Sequence, residues 1–497
     1  PFDLPPLEDE MTSPSEDLEF PGEEDAQVDP DEVMEEAAPL LSPPASQAEI
    51  LPPENLSPSS NPLLFPTQPE EVTVDISQPI TLEEAILLAR QNNPNFRVAW
   101  LNLEKARAGL RQALAARLPN LGTQMSLTQT DSAQSELSNR ATGGTLGGGD
   151  TTTTAFDATL ELTYNLYTGG RRSALIRQAE EQVRFNQLEV ERVAHELRLN
   201  VTNAYYGVQE ANSQVAIEQA AVDNAQQTLR DAELLEQAGL GTRFDVLRAQ
   251  VDLANSEQAL RSASANQQVA QRQLAQVLNI GQRAEVRAAD EVERAGEWDL
   301  SLEETIVLAY RNRAELEQQL AQREIDEQQR QAALADIRPQ VSLFANYNFL
   351  GRFDDDFGPA DGYALGARLQ WTFFDGGAAK ASSEQEELDI EIAETNFEQR
   401  RNEIRLEVEE AYANLRARDE NIQTATVAVQ LAEESLRLAR LRFQAGVGTQ
   451  TDVIDAQTEV TRAQNNLLTA IIGYNRALAS LQRAVSNLPN NRLFDQP

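Results

Sequence analysis

Two uninterrupted stretches of 67 residues, 171–237 and 378–444, constrain the fold of this chain more than any other feature. The first contains one glycine and no proline, and the second contains neither. At about 1.5 Å of rise per residue, a helix of this length spans roughly 100 Å, which exceeds what a compact globule needs. Val190, Leu197 and Val201 recur at spacings of seven and four, which is typical of a coiled-coil seam. The sequence therefore predicts two long coiled-coil helices.

Each long stretch belongs to a unit that occurs twice. Residues 81–93, "TLEEAILLARQNN", match 301–313, "SLEETIVLAYRNR", and residues 155–277 match 362–484. We therefore predict two tandem repeats, each with a helix of about 35 residues, a β-hairpin, a long helix and a return helix. The predicted ranges are a disordered acidic, proline-rich N-terminal arm (1–75), repeat 1 (80–280), a connector (281–299), repeat 2 (300–488) and a C-terminal tail (489–497).

Segments of alternating apolar and polar residues lie between the helices of each repeat. In 363–373, for example, Tyr363, Leu365 and Leu369 fall on one side. The other segments of this kind are 121–127, 156–166 and 341–349. An alternation with period two indicates strands, so we expect four per chain. Any one of these strands would also suit a half-buried sheet in a soluble protein.

Four strands cannot close a barrel, and an open edge cannot face lipid. Closure needs about eight strands or more, so two chains would surround a filled interior and three chains a lumen. Polar residues such as Asp157, Glu161, Arg368 and Gln370 suit a water-filled lumen. The predicted fold is therefore mainly α with a small transmembrane β part: a trimeric twelve-stranded barrel continued by a long α-helical coiled-coil barrel.

Composition excludes several classes of function. The net charge is −39, and residues 1–80 hold 20 acidic groups, 16 of the 22 prolines and no Lys or Arg. Such an arm is expected to be disordered, and an acidic chain is a poor partner for nucleic acid. The absence of cysteine excludes disulfides, thiolate metal sites and an N-terminal lipidated cysteine. No apolar run is long enough for a transmembrane helix, and the start at Pro1 leads us to expect a signal peptide already removed.

Proline and glycine mark where strands and helices meet. Pro119 and Pro339 follow the first helix of each repeat, and proline disfavours helical geometry in the residue before it. The pairs Gly169-Gly170 and Gly376-Gly377 precede the long helices, where they let the backbone turn sharply. We predict that these positions are the hinges between barrel and helices.

Catalysis is not expected. The single histidine, His195, lies inside a long helix, and neither a metal-spaced cluster nor a phosphate-binding loop occurs. The chain is therefore predicted not to be an enzyme and to need no cofactor or metal. The alternative to a channel is a soluble coiled-coil scaffold or adaptor protein, which would explain the helices but not the four alternating strands.

The order of these elements, with "FFDGG" at 373–377 and "AGVGTQTDVIDAQ" at 445–457, resembles the TolC family of outer-membrane efflux and secretion channels. The resemblance covers about residues 80–490. It implies a homotrimer in outer-membrane lipid with a tunnel through the periplasm. It also implies docking to a periplasmic adaptor (membrane fusion) protein and to an inner-membrane ABC or resistance-nodulation-division transporter. The expected function is the passive exit duct of a tripartite efflux pump or type I secretion system, gated at its periplasmic tip.

The two turns at 237–250 and 444–457 share nine of fourteen letters. Glycines are predicted to end the incoming helices, and T-x-x-D sequences to begin the outgoing ones. The resemblance makes these turns the adaptor-facing tips. The tip residues are Gly239, Gly241, Thr242, Gly446, Gly448 and Thr449.

The two tips differ in charge. The position of Asp452 predicts that it caps a helix, whereas Asp455 is not needed for capping. The counterpart of Asp455 in the first copy is Arg248. In a trimer Asp452 and Asp455 would place six carboxylates around one constriction and attract cations, and the resemblance implies such a ring as the pore gate. Gln450 stands where the resemblance expects a residue that holds the tip shut. Arg243, Arg248 and Asp245 on the neighbouring hairpin are candidate ion-pair partners of this gate.

Overall fold

The computed structural model describes residues 65–74, 76–131, 152–281, 283–353 and 358–486, together with six single residues between positions 56 and 141. The chain divides into two units, Pro1–Leu51 and Pro52–Pro497, and every described residue belongs to the second. Most of the predicted N-terminal arm and the C-terminal tail lie outside the described residues, so those two assignments stay predictions.

Among the residues that the structure describes, the first half of the chain contains eight α-helices and β-strands, after a short 3-10 helix at Pro69–Val72. They are β1 (Ile76–Ile80), α1 (Leu82–Asn92), α2 (Pro94–Ala115), β2 (Asn120–Asp131), β3 (Thr152–Tyr167), α3 (Arg171–Gln237), α4 (Arg243–Leu278) and β4 (Ala284–Ala288). The second half contains α5 (Leu302–Asn312), α6 (Ala314–Leu334), β5 (Gln340–Arg352), β6 (Ala360–Gln370), α7 (Ala378–Gln444) and α8 (Gln450–Val485). From α1 onward the two halves follow the same order, with long helices of 67 residues and return helices of 36 in each.

The long helices pack as antiparallel hairpins. α3 packs against α4, α7 packs against α8, and α8 also contacts α3. The predicted seam forms their core, since Val190, Val201 and Val408 are fully buried. None of the described helices combines the length and the apolar composition that are needed to cross a lipid bilayer.

The first helix of each half is broken, whereas the sequence predicts one helix of about 35 residues. In the first half the break falls at Asn93, which takes an extended conformation because Pro94 follows it. In the second half Arg313 takes the same conformation without a proline. The Arg313 side chain is buried and donates to the Ala484 carbonyl at 3.1 Å, so tertiary contacts hold this second break.

The predicted connector contains regular structure that the sequence did not reveal. β4 pairs in parallel with β1 over five residues, from Ile76 opposite Ala284 to Ile80 opposite Ala288. The chain that follows is held by α3 and α8. The Tyr205 hydroxyl lies 2.7 Å from a carboxylate oxygen of Asp290, and Asn475 donates to the Glu293 carbonyl at 2.7 Å.

The remaining four strands form one antiparallel sheet in the order β2-β3-β5-β6. Its register places apolar residues opposite one another, as in Leu160 opposite Tyr347 and Tyr347 opposite Tyr363. Many of these side chains are exposed, including Leu365 at 74%. The predicted alternation is therefore confirmed, and the sheet presents one apolar face that no other described residue covers. Within the described part of the chain, β2 and β6 each have one edge without a partner strand.

The turns between sheet and long helices are built on glycine. All four predicted hinge glycines, Gly169, Gly170, Gly376 and Gly377, have φ between +65° and +94°, a region that other residues rarely adopt. Asp375 fixes the second turn, since its two carboxylate oxygens accept from the Gly377 and Ala379 amides at 2.8 and 2.7 Å. These amide hydrogen bonds also lower the pKa of Asp375.

Pro119 and Pro339 lie at the other hinge of each half, immediately before β2 and β5. Pro339 also contributes to the environment of the first glycine turn. A Cβ atom added at Gly169 would lie 2.8 Å from Cβ of Arg338 and 3.0 Å from the Ala335 carbonyl oxygen, whereas nothing lies within 4 Å at Gly376. The two glycine turns thus share a backbone conformation but differ in packing.

This difference gives a matched pair of substitutions. Gly376→Ala is expected to cost only the backbone strain of a left-handed residue, about 1–2 kcal/mol. Gly169→Ala is expected to cost about 1–3 kcal/mol more, because its methyl group overlaps the Arg338 turn. Urea denaturation of both variants, followed by circular dichroism, measures the difference. Equal losses would show that the close packing at Gly169 contributes nothing.

Candidate functional site

The two hairpin tips end their incoming helices in the same way. Gly239 and Gly446 have φ of +73° and +72° and follow the C-cap residues Ala238 and Ala445 of the incoming helices. The Leu240 amide donates to the Leu235 carbonyl at 2.9 Å, and the Val447 amide to the Arg442 carbonyl at 3.0 Å. This pattern is the Schellman motif, in which a left-handed glycine satisfies the last carbonyls of a helix.

The second glycine of each tip is required by space rather than by φ. A Cβ atom added at Gly241 would lie 3.0 Å from Cβ of Leu235, and one at Gly448 would lie 3.1 Å from the Arg442 backbone. Both contacts are tighter than ordinary van der Waals packing. The shared glycines of the two tips therefore have a complete structural explanation.

The outgoing helices begin with capping boxes. Thr242 Oγ1 accepts from the Asp245 amide at 3.3 Å while an Asp245 carboxylate oxygen accepts from the Thr242 amide at 3.0 Å. Thr449 and Asp452 repeat the arrangement at 3.2 and 2.9 Å. The hydrogen bond from the Thr449 amide, with further help from the Thr449 hydroxyl and Arg442, lowers the pKa of Asp452, so this exposed carboxylate is charged at neutral pH.

Asp455 lies one turn further along α8 and serves no cap. Its side chain is exposed, and no hydrogen bond or ion pair to it occurs among the described residues. Of the two acidic residues predicted for the gate, Asp452 is thus engaged within its own turn and Asp455 is free to meet ions or another chain.

The predicted basic partners lie on the other hairpin and do not reach these carboxylates within one chain. Arg243 Nη1 lies 3.6 Å from an oxygen of Glu236. Arg248 lies near Asp252, whose pKa is raised mainly by burial and lowered in part by this arginine. In the described part of the chain, no ion pair joins Arg243 or Arg248 to Asp452 or Asp455.

Gln450 joins the two hairpins of one chain. It is 2% exposed, and its side-chain nitrogen lies 3.5 Å from the Thr228 carbonyl on α3. Gln457 accepts from the Thr228 hydroxyl at 3.3 Å, and Arg440 donates to Asn224 at 2.8 Å. The sequence did not identify this polar junction, because its members come from helices more than 200 residues apart. Thr228 lies nine residues before Gln237, so α3 continues about 14 Å beyond the junction.

His195 is 5% exposed and lies among the helices. Its Nε2 atom is 4.0 Å from a carboxylate oxygen of Glu191, beyond hydrogen-bond distance. Among the described residues, no group of three or more His, Asp or Glu side chains is arranged to hold a metal ion.

The chain thus combines long capped helical hairpins with an antiparallel sheet that exposes an apolar face. This combination is typical of one class of protein, the channel subunits that join a helical part to a membrane-inserted sheet. The sequence profile of the outer membrane efflux protein family matches residues 85–280 and 305–487. The chain belongs to this family. The resemblance predicted from the sequence is thereby confirmed.

Curated relatives agree with this family. The chain is 28% identical over 185 residues to the outer membrane efflux protein BepC of Brucella suis, covering 37% of this chain and 38% of that one. It is 25% identical over 402 residues to the toluene efflux pump outer membrane protein TtgC of Pseudomonas putida, covering 78% and 79%. Alignments with BepC, CzcC of Cupriavidus metallidurans and SilC of Salmonella typhimurium span only 38%, 41% and 38% of those relatives.

Solved structures share the fold. The outer membrane protein VceC of Vibrio cholerae superposes with a TM-score of 0.68 at 22% identity, covering 81% of this chain and 95% of that one. The CmeC outer membrane channel of Campylobacter jejuni gives 0.69 at 17% identity, covering 87% and 94%. The mainly helical fold of this chain is therefore that of outer-membrane channel proteins.

Proposed function

We propose that three copies of this chain form a passive outer-membrane exit duct of a tripartite efflux pump or type I secretion system. The observation that carries this proposal is the four-stranded sheet, which, in the part of the chain that the structure describes, has two free edges and an uncovered apolar face. Free edges cannot face lipid, so β2 of one chain pairs with β6 of the next until the barrel closes. Three chains give twelve strands around a lumen that the polar face lines.

The helical part extends this barrel as a tunnel through the periplasm. Two repeats per chain, 80–280 and 300–488, give six hairpins with pseudo-six-fold symmetry in the trimer. Helices of about 100 Å place the hairpin tips far from the sheet, at the opposite end of the tunnel. The hinge residues Pro119, Gly169, Gly170, Pro339, Gly376 and Gly377 join the two parts.

The tips form the gate. Asp452 and Asp455 of three chains surround the constriction, where their charges attract cations. Arg243 and Arg248 of one chain are placed to pair with the acidic hairpin of its neighbour, and Asp245 and Gln450 stabilise the two tips. A periplasmic adaptor docks on the turns around Gly239, Gly241, Thr242, Gly446, Gly448 and Thr449.

The partners follow from the same architecture. An exit duct needs an inner-membrane transporter, of the ABC or the resistance-nodulation-division class, and an adaptor to reach it. Relatives named as outer membrane proteins of efflux pumps support this assignment. A channel subunit has no reaction to catalyse, so no enzymatic activity or cofactor is proposed. The alternative of a soluble scaffold finds no support, because the family match spans both repeats.

A pair of lysine substitutions tests the barrel. Leu365 lies on the apolar face in the middle of β6, and Asn348 lies on the polar face of β5. Leu365→Lys is expected to destabilise the inserted sheet by about 2–4 kcal/mol, because it exposes a charge to lipid. Asn348→Lys is expected to be tolerated, because it faces water in the lumen.

Gel electrophoresis of the outer-membrane fraction with and without heating measures the yield of oligomer. The native chain should migrate as a heat-sensitive trimer, Leu365→Lys should reduce its yield strongly, and Asn348→Lys should not. A native chain that remains soluble and monomeric would refute the proposal. Equal yields of the two variants would show that the apolar face does not meet lipid.

A further inference from the structure

A cavity of about 230 Å³ lies at mid-height of the helical part, far along the chain from the tips and the sheet. It is enclosed by α3, the start of α1, the connector at Ala295 and Gly296, and the end of α8. Leu199 of α3 and Leu478 of α8 supply apolar walls. No Asp or Glu is among its lining residues, although the protein as a whole is strongly acidic.

One face of α3 contributes polar side chains to this cavity, and Asn475, Gln482 and Arg483 of α8 also line it. Arg198, Thr202 and Tyr206 follow one another at intervals of four residues and all line the cavity. None of the three side chains has a hydrogen-bond partner among the described residues, and no carboxylate there lies within 4.0 Å of Arg198. Burial lowers the pKa of Arg198, and the charge of the neighbouring Glu83 offsets this effect only in part.

In the second half of the chain, the arginine at the equivalent position has a carboxylate partner. Residue 405, 207 positions after Arg198, is also arginine, and its Nε donates to Glu409 at 2.8 Å. Glu409 is the counterpart of Thr202, and Ala413 is the counterpart of Tyr206. At the equivalent positions, the first half therefore has the Thr202 hydroxyl in place of the Glu409 carboxylate and has a second hydroxyl on Tyr206.

We propose that this cavity binds a small organic carboxylate that carries an apolar group. The ligand carboxylate meets Arg198, as Glu409 meets Arg405, and accepts from the hydroxyls of Thr202 and Tyr206. Its apolar group packs against Leu199 and Leu478. A cavity of about 150 Å³ is enough for benzene, so 230 Å³ accommodates a ring with a carboxylate.

The site lies within one chain and does not depend on the barrel or the gate. A ligand there touches α3, α8 and the connector together, so its binding is expected to raise the thermal stability of the helical part. His195, the only histidine of the chain, also lines the cavity and reports on it.

The experiment uses the full chain in detergent with isotope-labelled histidine. Benzoate is added, and the imidazole resonances of His195 are followed by NMR, with calorimetry as a second measure. Benzyl alcohol has the same ring without the charge, and inorganic phosphate has the charge without the ring. Benzoate should shift the His195 resonances saturably, and the other two should not.

Three variants make the test specific. Thr202→Glu rebuilds the pair that Arg405 and Glu409 form, so it should weaken benzoate binding by about tenfold or more. Arg198→Gln should weaken benzoate binding to a similar extent. It replaces Thr202→Glu as the test if far-UV circular dichroism shows that Thr202→Glu does not fold. Arg405→Gln is the matched control at the equivalent position and should leave the affinity unchanged.

Three results would overturn the proposal. One is the absence of saturable shifts up to ~10 mM benzoate, where even weak binding is detectable. Another is binding of benzyl alcohol that is as tight as binding of benzoate, which would show that the carboxylate is not recognised. Equally tight binding of phosphate would likewise show that the apolar group is not recognised. The third is an unchanged affinity in both Thr202→Glu and Arg198→Gln.

Discussion

Substitution of Glu315 by glutamine is expected to lower the free energy of unfolding by about 3–5 kcal/mol. Glu315 and Arg313 are each 3% exposed and are joined by two hydrogen bonds of 2.9 and 3.0 Å. Arg483 of α8 donates to the same carboxylate at 2.8 Å. Glutamine keeps the shape but removes the charge, which leaves the buried Arg313 and the partly exposed Arg483 without their shared counter-ion.

Glu407→Gln is the matched control. Glu407 accepts from Arg313 at 2.7 Å, but its side chain is 45% exposed. A solvent-screened pair of this kind contributes little, so the loss should stay below about 1 kcal/mol. Urea denaturation of the detergent-solubilised protein, followed by circular dichroism, measures both variants. Equal losses would contradict the assignment of Glu315 as the centre of the cluster.

The same carboxylate makes stability depend on pH. Burial alone would raise the pKa of Glu315, but Arg313 and Arg483 outweigh burial and lower the pKa to about 2. An unfolded glutamate has a pKa of about 4.3. The stabilisation is therefore fully present above about pH 4.3 and is lost as the pH falls through about 2. The difference in stability between the native chain and Glu315→Gln should shrink over this interval.

Neutralisation of Asp455 is expected to weaken block of the channel by a divalent cation by about tenfold, equivalent to ~1.4 kcal/mol. The proposed trimer has three Asp455 carboxylates at the tip, each exposed and without a partner among the described residues of its own chain. Their removal lowers the attraction for cations where the pore is narrowest. Reconstitution of Asp455→Asn in a planar bilayer, with conductance, reversal potential and block recorded, measures the effect.

Glu459 provides the control on the same helix. Its side chain is 56% exposed and pairs with Arg462 at 2.7 Å, so Glu459→Gln removes an equal charge one turn further from the tip. This variant should keep the native selectivity and block. Unchanged selectivity and block in Asp455→Asn would remove this residue from the gate, and equal effects of the two variants would indicate general surface charge.

The hairpin tips show which structural features a local sequence pattern can predict. Glycine spacing and the T-x-x-D sequence were enough to predict both turns, because Schellman motifs and capping boxes depend on residues within one or two turns of each other. The same patterns could not reveal that Gln450 is buried against Thr228, 222 residues away. That contact depends on how α8 packs against α3.

The two helix breaks make the same distinction. At Asn93 the following proline disfavours the helical conformation locally, so the sequence contains a signal for this break, although we predicted one continuous helix. At Arg313 nothing local forbids a helix, and the break exists because the side chain is bound by Glu315, Glu407 and the Ala484 carbonyl.

The sequence by itself determined the two long helices, the four strands, the glycine turns and the family, because each depends on periodicity or on residues close together in the chain. Only the tertiary structure decided the parallel pairing of β1 with β4, the buried charges around Glu315 and the unpaired Arg198. These features depend on side chains that distant segments bring together. The sequence shows an arginine at both equivalent positions, and only the structure shows that Arg405 faces a glutamate whereas Arg198 faces a cavity.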